Sequence, residues 1–340
     1  MAPLYVSIVI PAFNEEAHIL ETLQRLLNTS YPRDRMEIIV VDGGSTDRTA
    51  ELASAVPGVR LLRNPLRLQS VGVNMAARAA SPASEWIIRC DCHSEYPADF
   101  AATIVEVIEE LDPAKFAAVF YSRICRPDAA CFRTAAGWAY MSKFGGGTPH
   151  RTTGFSGPVE HGWHGAFQKA AFLAVGGYDE GMATLEDVDL SYRLRDAGFG
   201  IWNDARLEVR YFARSNLASL WRQFEGYGAG RVALWNKRPG VVKLRHLPLI
   251  AIGPWTLAML SLAPVSPWFL ATLIPYAVLL LAIGAKGSLK ERSACLLLLP
   301  IVLATMHYSW GYGFLRALLS NLRKIKRTGT LGGARRQVHS

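Results

Sequence analysis

The last third of this 340-residue sequence almost lacks acidic residues. From residue 237 onward, 14 Lys and Arg residues accompany a single acid, Glu291, whereas residues 1–236 contain 23 basic and 27 acidic residues. The net charge of +9 therefore comes from the C-terminal part alone. Because the N-terminal part has no excess of positive charge, the sequence argues against a nucleic-acid partner.

Charged residues are also missing from residues 247–285, a run of 39 residues. Such a run is long enough for two membrane-embedded helices of about 20 residues each, and a third apolar stretch follows it. Basic residues flank these stretches, which is typical of segments that contact phospholipid headgroups. We therefore predict a basic linker at 237–246, membrane segments at about 247–262, 268–285 and 294–319, and a basic tail at 320–340.

The basic loops predict on which side of the membrane the ends of each membrane segment lie. The loop 286–292 and the tail are both basic, and three full crossings cannot place both of them in the cytoplasm. We therefore expect the segment 294–319 to be re-entrant or interfacial. Since no basic N-terminal region precedes an apolar core, we expect no signal peptide, and a catalytic domain on the cytoplasmic face of the inner membrane.

The five cysteines show no paired spacing beyond Cys90 and Cys92. No spacing among the five cysteines suggests a disulfide framework. All five cysteines are therefore predicted to be reduced thiols.

Strand and helix patterns alternate along the first hundred residues. Short β-branched runs such as Val6–Ile10 and Glu37–Val41 are separated by segments with helical spacing, of which residues 16–27 are the clearest. This alternation predicts an α/β fold with a doubly wound parallel sheet, whose ligands bind beyond the carboxyl ends of the strands. We predict that this domain covers residues 1–236 and ends with an interfacial helix at 217–235.

Acidic residues occur where the predicted strands end. Asp42 precedes two glycines and could accept hydrogen bonds from a nucleoside, or it could cap its own turn. Asp91 and His93 could together hold a divalent cation, with the imidazole favouring Mn²⁺ over Mg²⁺, or they could be a strand-end Asp and an ordinary surface His. Glu186 and Asp187 begin a helix, where they could supply a general base or merely complement the helix dipole.

A small aromatic segment, Trp163-His164-Gly165, precedes another predicted helix. Trp163 could stack on a sugar ring and Gly165 could allow a substrate to approach closely. Alternatively, these residues are part of the core at a tight turn.

Five segments, taken in order, resemble the family 2 inverting glycosyltransferases, which have the GT-A fold. They are Ile8–Glu16, Val40–Asp47, Asp91–His93, Gly176–Asp179 and Glu186–Asp187. The resemblance extends over Val6–Trp235. The Asp-x-His variant, followed by a membrane region, is most similar to the succinoglycan-type glucosyltransferases of bacterial exopolysaccharide assembly.

The resemblance implies a role for each matching residue. The nucleotide pocket would be lined by Pro11, Ala12, Asn14 and Glu15, with Asp42 on the uracil or ribose. Asp91 would contact the ribose and diphosphate and, with His93, hold Mn²⁺ or Mg²⁺. Asp187 would be the base that deprotonates the acceptor hydroxyl, with Glu186 beside it. Candidate acceptor or diphosphate contacts are Trp163, His164 and Gly165, and also Gln223, Arg231 and Trp235. The last three loosely resemble the Gln-x-x-Arg-Trp motif of processive members, but their spacing differs from that of the motif.

These observations predict a membrane-associated, metal-dependent inverting glycosyltransferase. The expected donor is a UDP-sugar, with glucose as the sugar, and the expected acceptor is a polyprenyl-diphosphate-linked saccharide in exopolysaccharide or cell-surface glycan synthesis. Other enzymes of exopolysaccharide assembly are expected partners. The alternatives are a polyprenyl-phosphate glycosyltransferase, a processive polysaccharide synthase and a non-catalytic membrane scaffold. A transporter is disfavoured because the apolar segments carry no acids.

Overall fold

A computed structural model describes residues 3–145 and 154–328, which divide into two compact units. The first unit comprises Met1–Arg126 and Gly147–Phe212, and the second comprises Pro127–Gly146 and Ala213–Ser340. This division differs from the predicted boundary after residue 236, because the helix at 217–235 belongs to the second unit. Residues 329–340 of the predicted basic tail lie outside the described residues.

One mixed sheet forms the centre of the first unit. Its strands are β1 (Val6–Ala12), β2 (Met36–Asp42), β3 (Val59–Arg63), β4 (Trp86–Arg89), β5 (Ser94–Glu95), β6 (Phe116–Ile124), β7 (Gly157–Pro158), β8 (Gly165–Gln168) and β9 (Gly200–Tyr211). Their order is β3-β2-β1-β4-β8-β6-β9-β5, and β7 pairs with β9. The predicted parallel sheet is confirmed for β3, β2, β1 and β4, whereas β8 runs antiparallel to both β4 and β6.

Helices occur in both units. They are α1 (Ile19–Leu27), α2 (Thr49–Ser54), α3 (Gln69–Ala79), α4 (Phe100–Glu110), α5 (Cys131–Met141), α6 (Lys169–Ala174), α7 (Glu186–Asp196), α8 (Leu217–Lys237), α9 (Leu247–Leu262), α10 (Trp268–Ala271), α11 (Ile274–Glu291) and α12 (Leu299–Thr328). Short 3₁₀ helices occur at Arg33–Arg35, Lys143–Gly145, Leu244–His246 and Ala294–Leu298.

Alternate residues of β1 contribute to the two cores that cover the sheet. Ile8 and Ile10 pack with α1 and α4 on one face, whereas Val9 packs with α3 on the other. Because side chains alternate across a strand, an apolar run such as Val6–Ile10 is stable only when both faces are covered. The run therefore becomes a central strand of the sheet.

The register of the parallel strands brings their carboxyl ends to one edge. Ala12 at the end of β1 pairs with Asp42 at the end of β2, and Val9 pairs with Arg89 at the end of β4. The loops that carry Asn14, Asp42 and Asp91 therefore leave the sheet at the same edge, as the sequence predicts.

The second unit is mainly helical, and α8 packs along α12. Two of its helical segments, Trp268–Glu291 and Ala294–Arg323, are long and apolar enough to cross a membrane, on length and composition alone. The first predicted membrane segment forms α9, which has 16 residues and an internal Pro254.

A disulfide joins Cys131 of α5 to Cys295, 164 residues further along the chain. The prediction that all five cysteines are reduced is therefore wrong for this pair, whereas Cys90 and Cys92 are free thiols. Sequence spacing gave no signal because the partners meet only through tertiary packing of α5 against the Ala294–Leu298 turn.

Candidate active site

The loops that follow β1 and β2 are joined by hydrogen bonds into one surface. The Thr46 amide donates to the Asn14 side chain at 2.8 Å, and the Asn14 amide donates to the Ser45 hydroxyl at 2.9 Å. The Glu15 amide donates to Thr49 Oγ1 at 2.7 Å. Ser45, in the loop after β2, therefore holds the loop after β1 in place. Asn14 has φ +54°, a left-handed conformation that Asn tolerates better than most residues.

The carboxylate of Asp42 accepts hydrogen bonds from its own turn. The Gly44 amide lies 3.2 Å from Oδ2 and the Ser45 amide lies 3.1 Å from Oδ1. These hydrogen bonds show that Asp42 caps its own turn. Its contact with a nucleoside stays a prediction, as does the lining of the pocket by Pro11, Ala12, Asn14 and Glu15.

Asp91 lies among cationic and imidazole side chains just beyond β4. Its Oδ2 lies 3.3 Å from Arg123 Nη2 and 3.1 Å from His164 Nδ1, and its Oδ1 lies 3.8 Å from Arg89 Nε. Burial and the neighbouring Arg123 hold the pKa of His164 well below its ordinary value, so this imidazole is neutral near neutral pH. The charge of Asp91 is therefore balanced by the two arginines.

His93 points towards the loop after β1, where its Nδ1 lies 3.1 Å from Glu15 Oε1. Across residues 3–145 and 154–328, no three His, Cys, Asp or Glu side chains come close enough to share a metal ion. The carboxylate oxygens of Asp91 and the imidazole of His93 are donors of the type that Mn²⁺ accepts. The types of these donors suit a divalent cation, and the joint binding of one cation by Asp91 and His93 stays a prediction.

Glu186 and Asp187 begin α7 directly after Leu185, whose φ is +62°. A left-handed Leu is strained, and such strain concentrates at functional sites. Glu186 Oε1 lies 3.4 Å from Arg89 Nη1. Burial, and then the charge of Glu186, raise the pKa of Asp187 to about 7, although Arg89 and Arg123 oppose the shift. Asp187 therefore changes its charge near neutral pH, as a general base requires.

The segment Trp163-His164-Gly165 lies inside the first unit, against the Asp91 cluster. The Trp163 ring covers the Arg123 guanidinium at 5.0 Å, and His164 contacts both Arg123 and Asp91. A Cβ on Gly165 would collide with the backbone of Val119 in β6. The glycine is therefore needed for strand packing, and its contact with a substrate stays a prediction.

The three remaining candidates, Gln223, Arg231 and Trp235, lie on α8 in the second unit. Gln223 donates to the Tyr227 hydroxyl at 3.1 Å, and the Trp235 ring stacks on Phe314 at 6.2 Å between centroids. Their predicted contact with the acceptor stays a prediction.

Sequence reasoning missed the two buried arginines of the site. Arg89 is 2% exposed and Arg123 is 6% exposed, and each contacts a carboxylate predicted to be functional. A signal was present in both cases, because an Arg inside an apolar strand run is rarely buried without a paired acid.

Comparisons with known proteins agree on the class of enzyme. Residues 7–176 match the family described as Glycosyl transferase family 2. The chain is 34% identical over 324 residues to the succinoglycan biosynthesis protein ExoA of Rhizobium meliloti (strain 1021), covering 94% of this chain and 96% of that protein. It is 23% identical over 337 residues to a dolichyl N-acetyl-alpha-D-glucosaminyl phosphate 3-beta-D-2,3-diacetamido-2,3-dideoxy-beta-D-glucuronosyltransferase of Methanococcus voltae, covering 95% and 99%.

A solved structure with a similar fold is a mannosyltransferase of Pyrobaculum calidifontis in complex with GDP-Man and Mn²⁺. The TM-score is 0.59 at 22% identity, and the alignment covers 94% of this chain and 90% of that one. At this identity the likeness establishes the GT-A fold alone.

Proposed function

The chain belongs to glycosyl transferase family 2, and on that premise we propose that it is a membrane-associated inverting glycosyltransferase acting on a lipid-linked saccharide. The proposed donor is UDP-glucose, and the proposed acceptor is a polyprenyl-diphosphate-linked saccharide of exopolysaccharide or cell-surface glycan synthesis. The catalytic unit would face the cytoplasm. The names of the relatives support this, since one acts in succinoglycan biosynthesis and another acts on a dolichyl-linked sugar phosphate.

The arrangement of carboxylates around Arg89 is the observation that carries the proposal. Asp91 lies 3.8 Å from one nitrogen of the guanidinium, and Glu186, the neighbour of Asp187, lies 3.4 Å from another. Transfer with inversion needs a site for the leaving diphosphate on one side of the anomeric carbon and a base on the other. The Asp91 side and the Asp187 side of Arg89 suit these two tasks.

The chain's own residues would divide the work of transfer as follows. The joined loops of Asn14 and Asp42 would orient the nucleoside, and Asp91 with His93 would hold the cation. When bound, a divalent cation neutralises charge on the diphosphate leaving group. Asp187 would take the proton from the acceptor hydroxyl, which then attacks the anomeric carbon from the face opposite the diphosphate, so an α-linked donor gives a β-linked product.

The test is nucleotide release by the purified full-length protein. UDP-glucose, bacterial lipid extract and Mn²⁺ together should release UDP and label a lipid, and omission of the lipid or the cation should reduce release strongly. GDP-mannose serves as the competing donor. Release from GDP-mannose alone would correct the donor, and absence of release from any nucleotide sugar would favour the scaffold alternative. Defined polyprenyl phosphate, offered in place of the extract, would separate direct transfer to the phosphate from transfer to a lipid-linked saccharide.

A further inference from the structure

Arg89 is the most buried charged group of the candidate site, and none of the tasks described above requires it. It occupies the last position of β4, two residues before Asp91, and its side chain is 2% exposed. A buried guanidinium is costly unless acids surround it. The side chains that contact Arg89 therefore indicate its role.

Arg89 contacts side chains from two different parts of the chain. Nε lies 3.8 Å from Asp91 Oδ1, two residues away, and Nη1 lies 3.4 Å from Glu186 Oε1, on α7. The guanidinium carbon also lies 5.2 Å from the centre of the Tyr178 ring. One side chain therefore links the end of β4 to the start of α7. These are the segments that carry the proposed donor and acceptor chemistry.

We propose that Arg89 is a positioning residue of the transfer reaction, a fixed cation that holds the Asp91 side and the Glu186–Asp187 side together and keeps Asp187 able to accept a proton. This inference rests on the proposed function. It assigns to Arg89 a task that acts through Asp91 and Glu186, and it distinguishes Arg89 from an arginine that only stabilises the fold.

The charged groups around Asp187 explain why a cation is needed there. Glu186, its neighbour on α7, raises the pKa of Asp187, whereas Arg89 from β4 and Arg123 from β6 lower it. Tyr178, from the loop before α7, and Asp91 face Arg89 itself. Without Arg89, three carboxylates would share the site with one remaining arginine, and protonation of the base would become easier.

The experiment compares pH–rate profiles of Arg89→Met, Arg89→Lys and the wild type between about pH 5 and pH 9. For Arg89→Met we expect the acid limb of kcat to move to higher pH by about one unit, because a buried opposite charge shifts a carboxylate by about that much or more. Arg89→Lys keeps the charge and should move the limb less. UDP affinity and Tm are measured on the same samples.

Arg193→Met is the matched control. Arg193 is also paired with an acid of α7, Asp189, at 2.8 Å. We expect this variant to lower Tm and to leave the pH profile in place. If Arg89→Met fails to fold, Arg89→Lys and Glu186→Gln test the inference in its place. Glu186→Gln should move the acid limb of kcat to lower pH, because it removes the negative charge that repels the Asp187 carboxylate.

The outcomes separate this inference from the proposed function. If Arg89→Met lowers kcat without shifting the acid limb of the pH–rate profile, the inference is overturned. The proposed transferase function is unaffected by that result. Equal shifts in Arg89→Met and Arg193→Met would also overturn the inference, since the effect would then be structural. A wild type without transfer to any acceptor would overturn the proposed function first, and this inference with it.

Discussion

Asp187 is the residue on which the proposed chemistry depends most directly. Asp187→Asn keeps the shape of the side chain but cannot accept a proton, so we expect transfer to fall by about 10²- to 10⁴-fold while UDP-sugar binding persists. Asp189→Asn is the matched control, since Asp189 lies on the same helix but is paired with Arg193. More than a tenth of wild-type kcat in Asp187→Asn would remove the base assignment.

The raised pKa of Asp187 also predicts how stability depends on pH. A carboxyl whose pKa rises from 3.8 to about 7 on folding binds a proton more tightly in the folded state. Its contribution to stability is therefore complete at low pH and is lost as pH rises through about 7. Asp187→Asn should consequently have a higher Tm than the wild type at alkaline pH, and this difference should shrink as pH falls towards 4. A difference independent of pH would contradict the raised pKa.

The metal assignment is testable without a turnover assay. Asp91→Ala and His93→Ala should each weaken UDP binding in the presence of Mn²⁺, and Asp91→Ala should weaken it more because a carboxylate supplies charge as well as a lone pair. Calorimetry with and without Mn²⁺ measures both effects. Glu106→Gln, on the exposed face of α4, is a control that should change neither. Unchanged UDP affinity and metal dependence in both site variants would exclude these residues.

At the residue scale, the sequence predicted where the acidic residues lie on the sheet, but not which side chains contact them. Asp42 and Asp91 lie at the carboxyl edge of the sheet because strand patterning and parallel register determine where a strand-end residue goes. The partners of Asp91 come from β6 and from the residue before β8, 32 and 73 positions away along the chain. No local pattern specifies such pairs, so the contacts of Asp91 with Arg123 and His164 became visible only in the structure.

The contact between α8 and α12 depends on glycines. A Cβ on Gly228 would collide with the carbonyl of Trp310, and one on Gly313 would collide with that of Glu225. Glycine therefore lets the two helices approach backbone to backbone. We expect Gly228→Ala to destabilise the protein by about 1–3 kcal/mol, the usual cost of overpacking, and to lower its Tm.

Gly253→Ala is the control for this prediction. Gly253 lies on α9, and apart from its own helix turn no atom of the described residues lies within 4 Å of the position its Cβ would occupy. Because Ala is about 1 kcal/mol more favourable than Gly in a helix, this substitution should be neutral or stabilising. A Gly228→Ala variant as stable as Gly253→Ala would show that the close contact is not needed.

At the scale of elements, long periodic segments were predictable and irregular ones were not. The segments predicted as helices at 16–27 and 217–235, and the helix predicted to begin at Glu186, are present as α1, α8 and α7. The region 126–153 has no such period, and the helix α5 within it is held by its disulfide and its packing against residues 294–298. The segment 146–153 of that region lies outside the described residues.

At the scale of the whole molecule, the acidic residues lie almost entirely in residues 1–236, whereas residues 237–340 are basic and contain both candidate membrane helices. Of the two candidate membrane helices, Trp268–Glu291 has only 17% of its most apolar 18-residue stretch buried inside the protein. Trp268 itself is 81% exposed. Such an apolar surface, bordered by basic residues and exposed Trp221, Trp235 and Trp255, is typical of a protein that enters a bilayer. Composition alone predicted this property, because burial in lipid requires uncharged length and little else.

The last prediction is that the acceptor is lipid-linked and receives one sugar in each encounter. A chain with at most three apolar segments offers little with which to enclose a polymer-conducting channel, whereas its basic flanks would attract a diphosphate headgroup. Purified protein incubated with radiolabelled UDP-glucose and bacterial lipid extract should therefore label an organic-extractable product that carries one added residue. A soluble oligosaccharide offered as the control acceptor should remain unlabelled, since it gains nothing from a membrane surface. Long ethanol-insoluble polymer formed without lipid would instead identify a processive synthase.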